Sequence, residues 1–298
     1  MSTNITNREL LATCWTWAGD ARPSRGDERS PHDIRERLAA VSDAGWEGIG
    51  LHHADLFSLG DSMGYPALNE MIKEYGISRV EVEFLSNWWT HGALRDASDE
   101  VRRRLFEAAP QLGVTTIKVG AELQSFGVEQ PVTLERFAQA FDALATDAGD
   151  HGVRVAMEPM PMSNVPTLQA GVELVREVGN VHGGLVVDTW HVARGGTKMD
   201  ELTALLPLEH VFVVELDDAD AEVVGSLWDD TCDRRRRPGD GDLDVAGFVA
   251  ALHQVGWRGH WGVEIISEEQ RTTPLREAVQ VTRDKTLAVI DAAEALLP

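Results

Sequence analysis

Four carboxylates occupy the same place in four successive apolar segments of this 298-residue chain. Each segment is a short hydrophobic run that ends on an acid, and the four acids are Glu158, Asp188, Glu215 and Glu264. An acid inside a buried apolar run costs free energy unless something pairs with it. If the four acids converge, one divalent cation can pair with all of them. The pattern therefore predicts a metal-dependent enzyme.

The type of ligand indicates which metal and which chemistry to expect. An all-oxygen site suits Mn²⁺ or Mg²⁺, with Co²⁺ or Zn²⁺ as alternatives. A cation held by carboxylates can bind both oxygens of a vicinal hydroxy-ketone and stabilise the enediolate that forms when the neighbouring proton leaves. Removing that proton requires a base on the right face of the carbon. The expected reaction is proton transfer beside a carbonyl group.

Strands and helices that could position these acids alternate along the whole chain. The strand candidates are residues 10–17, 48–52, 79–84, 115–119, 154–158, 184–188, 211–216 and 261–266. The helix candidates are residues 30–38, 65–75, 97–112, 134–149, 167–178, 199–206, 245–255 and 275–297. Most strand candidates are Val, Ile and Leu runs without polar alternation, as expected of parallel strands that are covered on both faces.

Eight such units in one chain predict the α/β class and a single (β/α)8 TIM barrel. We expect one domain over residues 1–298, with the barrel core within 8–270 and a C-terminal helix within 273–298. A doubly wound open sheet is the competing fold, but residues 14–20 make a poor glycine-rich phosphate turn. The barrel also explains the recurring acids, because active sites form at the C-terminal ends of barrel strands.

Composition excludes several classes of partner. The net charge is −22, from 49 acidic and 27 basic residues, and such a field repels nucleic acid. No apolar run approaches the roughly 18 residues of a membrane helix. The start of the chain lacks the features of a signal peptide. Because Cys14 and Cys232 are far apart and fit a reduced protein, we expect a cytoplasmic location.

Several motifs carry a family resemblance. They are Met-Glu-Pro at 157–159, Val-Asp-Thr-Trp-His at 187–191, Val-Val-Glu-Leu-Asp-Asp at 213–218, Arg-Pro-Gly-Asp-Gly-Asp at 237–242 and Val-Glu-Ile-Ile at 263–266. In this order they resemble the xylose isomerase-like TIM barrel superfamily, which groups sugar phosphate isomerases and epimerases with endonuclease IV (AP endonuclease family 2). The motifs cover the C-terminal half of the chain and are poorly specific for a substrate.

The resemblance implies roles for individual residues. Glu158 and Glu264 would be the catalytic acid and base as well as metal ligands, and Asp188 would be mainly a ligand. His191 would contact a substrate oxygen or a metal-bound water, and Arg237 would reach inward to a substrate hydroxyl or carbonyl. Family members often carry His or Gln where this chain has Glu215. Whether Glu215 is a fourth ligand is therefore left open.

Other residues at strand ends are candidates for substrate binding. Of His52 and His53, one is expected to point into the barrel and the other into the wall, and we favour His52. Lys118 lies near the fourth strand and either meets substrate or joins a salt-bridge network. Trp15 belongs to a group of tryptophans at strand tips, whose flat rings suit the apolar face of a sugar.

Three classes of function remain open. The leading hypothesis is an isomerase or epimerase of a keto sugar or related polyol. A lyase or dehydratase on a keto sugar, an inosose or a 3-keto-glycoside could use the same enediolate. DNA repair of the endonuclease IV type is a remote alternative, which the charge disfavours. The expected partner is a small carbohydrate, and both homo-oligomeric and hetero-oligomeric states stay open, including a barrel that works only with a second subunit.

Overall fold

Eight parallel strands close into a barrel in the order of the chain, each hydrogen-bonded to the next and β8 to β1. The computed structural model describes residue 5 and residues 7–123 and 131–297. The strands are β1 (Leu10–Ala12), β2 (Gly48–His52), β3 (Arg79–Leu85), β4 (Thr116–Gly120), β5 (Arg154–Glu158), β6 (Gly183–Asp188), β7 (Val211–Leu216) and β8 (Trp261–Val263). The predicted (β/α)8 barrel is confirmed.

Helices cover the outside of the barrel and close its ends. They are α1 (Cys14–Trp17), α2 (Ile34–Ala44), α3 (His53–Met63), α4 (Tyr65–Glu74), α5 (Ala93–Leu112), α6 (Leu134–Asp150), α7 (Leu168–Val178), α8 (Thr189–Arg194), α9 (Met199–Leu205), α10 (Leu227–Asp233), α11 (Val245–Val255), α12 (Glu268–Thr272) and α13 (Leu275–Glu294), with a 3₁₀ turn at Leu208–His210. Within the described parts of the chain, none of these helices has the length and apolarity to cross a membrane.

The first strand is shorter than the sequence suggests. The prediction of a strand over residues 10–17 is wrong, because the chain turns at Thr13 into α1. The Thr13 hydroxyl donates a hydrogen bond to Val263 O at 2.9 Å. Trp17 is the last residue of α1, and its indole N–H donates a hydrogen bond to Gly50 O at 2.8 Å.

Several helices also differ from the prediction. The helix expected from residue 30 begins at Ile34, because the carboxylate of Asp33 caps it by accepting the N–H of Arg35 at 2.8 Å. The short helices α1, α8, α10 and α12 were not predicted from the sequence, and neither was α3. Gly60 interrupts its apolar pattern, and the ring of Tyr65 lies 2.3 Å from where a Cβ of Gly60 would be.

The barrel interior is layered beneath the acids. Ala156, Val186 and Val213, each two residues before an acid, lie in one buried apolar cluster with Phe212. Successive side chains of a strand point to opposite faces, so the acids at the next inward positions share one level. On β8 the corresponding position is Gly262, where a Cβ would lie 3.1 Å from Glu215 Cγ. The small residue leaves room for that carboxylate.

Candidate active site

The structure brings the four carboxylates together at the C-terminal end of the barrel. Glu158 and Asp188 end β5 and β6, Glu215 pairs with Asp188 across β6 and β7, and Glu264 follows β8 directly. One oxygen from each lies within 4.8 Å of the others. All four side chains are buried, with at most 7% of the residue exposed. This separation is short enough for a common ion.

Unpaired oxygens make the cluster suitable for a bound cation. Glu158 Oε1 and Glu215 Oε2 are buried and have no hydrogen-bond partner among the described residues. A buried acceptor left without a partner costs about 1–3 kcal/mol, and more when it is charged. A divalent cation among the four acids would supply the missing partner. His191 forms a second ligand group with Glu158 and Asp188, so a nitrogen donor is also within reach.

Lys118 lies under the acids. Its Nζ donates to Glu215 Oε1 at 2.6 Å, forms a very short ion pair with Glu83 and lies 3.8 Å from Glu264 Oε1. Burial lowers the pKa of Lys118, but the surrounding carboxylates outweigh it and hold that pKa well above its usual value. The lysine is therefore charged and in contact with the acids. It was a predicted substrate contact, yet it does not line the cavity described below.

The arginine that reaches the acids is Arg235. Its Nη1 donates to Asp188 Oδ2 at 2.8 Å and lies 3.1 Å from Glu264 Oε2, with a very short ion pair to Asp217. Arg237, the predicted inward arginine, is directed elsewhere. It donates to Gln270 Oε1 at 3.0 Å and to Glu269 Oε1 at 2.9 Å.

Strand-like pairing explains why Arg235 takes this position. An isolated bridge joins Arg234 to Ser267, and another joins Arg236 to Asp218, so the segment runs extended between the ends of β7 and β8. Alternate side chains of an extended segment point to opposite sides. Arg234 and Arg236 therefore face outward, where both pair with Asp220. Their middle neighbour faces the acids.

His191 is held between an acid and an arginine. Its backbone N–H donates to Asp188 Oδ1 at 2.8 Å, which caps α8 and fixes the start of that helix. Its Nε2 lies 3.2 Å from Glu158 Oε1 and 3.1 Å from Arg235 Nη2. The imidazole therefore lies at the edge of the carboxylate cluster; its expected contact with a substrate oxygen or a metal-bound water stays a prediction.

Burial and neighbouring charges shift the pKa values of the acids apart. Burial raises the pKa of Glu264 to about 8, although Arg235 and Lys118 oppose the shift. Burial likewise raises the pKa of Glu215 well above its usual value. Burial would also raise the pKa of Asp188, but Arg235 and His191 lower it below its usual range. Such divergent values are typical of sites that transfer protons.

A cavity of about 630 Å³ opens above the acids. Its floor carries the side chains of Glu83, Glu158, His191, Arg235 and Glu264. A volume of this size holds a sugar-sized or larger ligand, since small-molecule sites span about 300–1,000 Å³.

The cavity wall contains three residues discussed from the sequence. Trp15 and His52 line the cavity, and so does His53, although only one of the two histidines was expected to face the barrel interior. His52 Nε2 lies 3.6 Å from Glu28 Oε2. Burial lowers the pKa of His52 well below its usual value, which leaves it uncharged at neutral pH. Trp190, in the motif at 187–191, is not a lining residue of the cavity and belongs to the buried core.

Two residues that contribute to this site, Asp217 and Arg235, were not predicted from the sequence. Asp217 accepts the backbone N–H of Trp190 at 2.9 Å and pairs with Arg235, which orders the start of α8. Arg237 had been predicted as the arginine that reaches inward, in place of Arg235. The sequence carried a signal for Asp217, which follows two residues after Glu215 and so lies on the same face of an extended segment. The arginine run carried no signal that singles out Arg235, because its extended conformation depends on the bridges to Asp218 and Ser267.

Family comparison agrees with this architecture. A model described as xylose isomerase-like TIM barrel matches residues 38–285. The chain belongs to this family, as its motifs suggested.

Curated relatives carry the names of enzymes. A 3-dehydroshikimate dehydratase of Pseudomonas putida is 26% identical over 252 residues, which cover 82% of this chain and 38% of that protein. An inosose isomerase of Halalkalibacterium halodurans is 29% identical over 149 residues, 49% of this chain and 51% of that protein. The chain thus matches between about two fifths and one half of the length of these relatives.

Solved structures resemble this one over nearly the whole chain. The IolI protein, described with a bound zinc atom, has a TM-score of 0.79 and 20% identity, with 95% of this chain and 98% of that chain covered. An L-ribulose 3-epimerase has a TM-score of 0.73 and 16% identity, with 97% of both chains covered. At these identities the likeness establishes the fold alone.

Proposed function

We propose that this protein is a divalent-metal-dependent isomerase or epimerase that acts beside the carbonyl group of a keto sugar or related polyol. The observation that carries the proposal is the cluster of four buried carboxylates at the floor of a 630 Å³ cavity. The names of the isomerase relatives support it. The preferred ion is Mn²⁺ or Mg²⁺, because the cluster offers mainly carboxylate oxygens.

Glu158, Asp188, Glu264 and Glu215 would hold the ion. When bound, it would polarise the substrate carbonyl and stabilise negative charge on that oxygen. Glu215 has one oxygen committed to Lys118 and one without a partner among the described residues, so it can offer the second oxygen only. Asp188 accepts a hydrogen bond at both oxygens, at Oδ1 from the first turn of α8 and at Oδ2 from Arg235, so it would bind the ion through a remaining lone pair. These hydrogen bonds hold the carboxylates of Glu215 and Asp188 in fixed orientations.

Glu158 and Glu264 are the proposed acid and base. Both line the cavity, whereas Asp188 and Glu215 lie beneath it. The carboxylate of Glu158 would take the proton from the carbon beside the carbonyl. Its Oε1 lies 3.2 Å from His191 Nε2 but accepts no hydrogen bond from the described residues. In the metal-free protein burial raises the pKa of Glu264 to about 8, and an ion bound to this carboxylate would lower that pKa. The proton that Glu264 donates would therefore be taken up from water in each turnover. Donation to the opposite face of the same carbon would invert it.

Arg235 takes the proposed role of Arg237 as the inward arginine. Its guanidinium donates to Asp188 and contacts His191, so it orients the two residues that follow β6. His191 borders the cavity and is proposed to contact a substrate oxygen. Trp15 and His52, farther up the wall, are proposed to contact the substrate ring.

A dehydratase is the second candidate. The relatives with this name align over 82% of the chain, a larger share than the isomerases cover. From the same deprotonated substrate, loss of a hydroxyl or alkoxide from the β carbon gives elimination in place of reprotonation. Either outcome uses the same acid and base.

The test is hydrogen exchange in D₂O with the metal-loaded protein. Keto sugars, inososes and 3-keto-glycosides are incubated with added Mn²⁺ and followed by NMR spectroscopy. Deuterium at the carbon beside the carbonyl, with isomer or epimer and without elimination, supports the proposal. Elimination supports the dehydratase. Absence of exchange across the three substrate classes would refute both.

A further inference from the structure

The cavity over the carboxylates carries an excess of negative charge. Its acidic lining residues are Glu28, Glu83, Glu122, Glu158 and Glu264. Among the described lining residues Arg235 is the sole Lys or Arg. Because like charges repel strongly where water is scarce, the wall disfavours an anion.

Arg235 has no donor left for a ligand anion. Nη1 is used by Asp188, Asp217 and Glu264. Nε donates to Thr231 Oγ1 at 3.1 Å, and Nη2 donates to the same oxygen at 3.0 Å and contacts His191. The guanidinium is therefore part of the site's own hydrogen-bonding network.

A bound divalent ion would not reverse the balance. Six carboxylates meet at the floor of the cavity: Glu83, Glu158, Asp188, Glu215, Asp217 and Glu264. An ion that displaces the protons from these groups would leave six negative charges. Against them stand two positive charges from Lys118 and Arg235 and two from the ion itself. Glu28 and Glu122 on the wall add further negative charge.

In the part of the chain that the structure describes, the arginines next to lining residues in the sequence are already paired with acids. These pairs are Arg22 with Asp233 at 3.5 Å, Arg25 with Asp20 at 2.5 Å, Arg29 with Asp27 at 2.6 Å, Arg95 with Asp99 at 2.7 Å, and Arg234 and Arg236 with Asp220 at 3.2 and 3.1 Å. Residues 124–130, which follow lining residue Leu123 and fall outside the described part of the chain, have the sequence Gln-Ser-Phe-Gly-Val-Glu-Gln and contain neither Lys nor Arg.

The rest of the wall suits an uncharged ring. Its large side chains are Trp15, Phe84, Trp89, Met160, Met162, Trp228 and Ile266. Flat aromatic faces pack against the C–H faces of a polyol. Burial lowers the pKa values of His52 and His53, so neither adds a positive charge at neutral pH.

We propose that the cavity accepts neutral keto-polyols and keto-glycosides and rejects the corresponding carboxylates and phosphate esters. The proposal rests on the proposed function, since it names the substrate class of the same site. It also separates this chain from a relative named for 3-dehydroshikimate, whose substrate is a carboxylate.

Matched ligand pairs test the proposal directly. The metal-loaded full chain is titrated by calorimetry with 3-dehydroshikimate and its methyl ester, and with the methyl glycoside of 3-keto-glucuronic acid, whose carboxylate is free, and methyl 3-keto-glucoside. We expect the neutral member of each pair to bind at least about tenfold more tightly at low ionic strength, with the gap narrowing in added salt. An acid that binds as tightly as its neutral partner, in either pair, overturns the proposal. So does failure of both neutral members to bind.

A cation placed at the mouth of the cavity should weaken the discrimination. Leu94 lines the mouth and is 58% exposed at the start of α5; Leu134 is 61% exposed at the start of α6 and lies outside the cavity lining. We expect Leu94→Arg to tighten binding of the acids about two- to fivefold, while the matched control Leu134→Arg leaves both members of a pair unchanged. Equal effects of the two variants would contradict a local field in the cavity.

Failure of the proposed function is distinguishable from failure of this inference. If neutral ligands bind selectively but show no hydrogen exchange in D₂O, the catalytic proposal fails and the selectivity stands. If exchange occurs and the acids are processed as readily as neutral ketones, the selectivity fails and the catalytic proposal stands.

Discussion

Lys118 Nζ donates to Glu215 Oε1 at 2.6 Å inside the barrel, and both residues are at most 1% exposed. The same ammonium group pairs with Glu83, so one buried cation serves two acids. Removing one member of a buried ion pair leaves the remaining charges uncompensated. The lysine is therefore part of the support of the carboxylate cluster.

Lys118→Met should destabilise the metal-free protein by about 3–5 kcal/mol because Glu83 and Glu215 lose their shared partner. Denaturant unfolding in EDTA measures the change. Adding Glu215→Gln to this variant should restore part of the loss, and Lys73→Met on the exposed face of α4 should shift stability by less than about 0.5 kcal/mol. A Lys118→Met protein as stable as the parent would contradict a structural role for the ion pair.

Glu158→Gln and Glu264→Gln should each lower turnover by about 10²–10⁴-fold, since each removes a group proposed to move a proton. Circular dichroism should show an intact fold in both variants. The exposed Glu177→Gln in the last turn of α7 is the control and should keep parental activity. Near-normal turnover in either cavity variant would refute the acid and base assignment.

Mn²⁺ affinity should rise about tenfold per pH unit up to about pH 8 and level off above it, because the ion must displace the proton on Glu264. Burial raises the pKa of this carboxyl to about 8 from 4.5, so the folded metal-free protein keeps a proton that the unfolded chain has already lost. Stability of the metal-free protein should accordingly fall as pH rises through that window. Titrations that give one affinity across this range would show that Glu264 does not bind the ion.

Arg235→Met should reduce both metal affinity and turnover, whereas Arg236→Met should affect neither. The first side chain bonds to Asp188 within the cluster, and the second pairs with Asp220 near the surface. Loss of a buried charged partner costs about 3–5 kcal/mol; an exposed pair contributes about 0–1 kcal/mol. Isothermal titration and steady-state kinetics compare the two. Equal behaviour of these neighbours would contradict the inward placement of Arg235.

The barrel and the convergence of its acids could be predicted because both follow local rules. Apolar runs of even spacing indicate parallel strands, and the two-residue period of a strand places Ala156 and Glu158 on one face. Whether Glu158, Asp188, Glu215 and Glu264 act as ligands, and the domain bounds 8–270 and 273–298, stay predictions.

What could not be predicted depends on contacts between distant segments. Arg235 faces inward because its neighbours bridge to Asp218 and Ser267, which no pattern in the arginine run reveals. The first strand ends at Ala12 because Thr13 bonds to Val263, some 250 residues away in the chain. Lys118 could be read as a substrate contact until the positions of Glu83 and Glu215 were known.

Metal content of the purified protein tests the central claim most directly. Elemental analysis after loading with Mn²⁺ should give one ion per chain, and Asp188→Asn should weaken binding about a hundredfold by removing a charged ligand from the cluster. Asp150→Asn at the exposed end of α6 is the matched control and should bind like the parent. A parent protein that retains no Mn²⁺ after loading would contradict a metal site built from these carboxylates. Equal Mn²⁺ affinity of Asp188→Asn and the parent would contradict it as well.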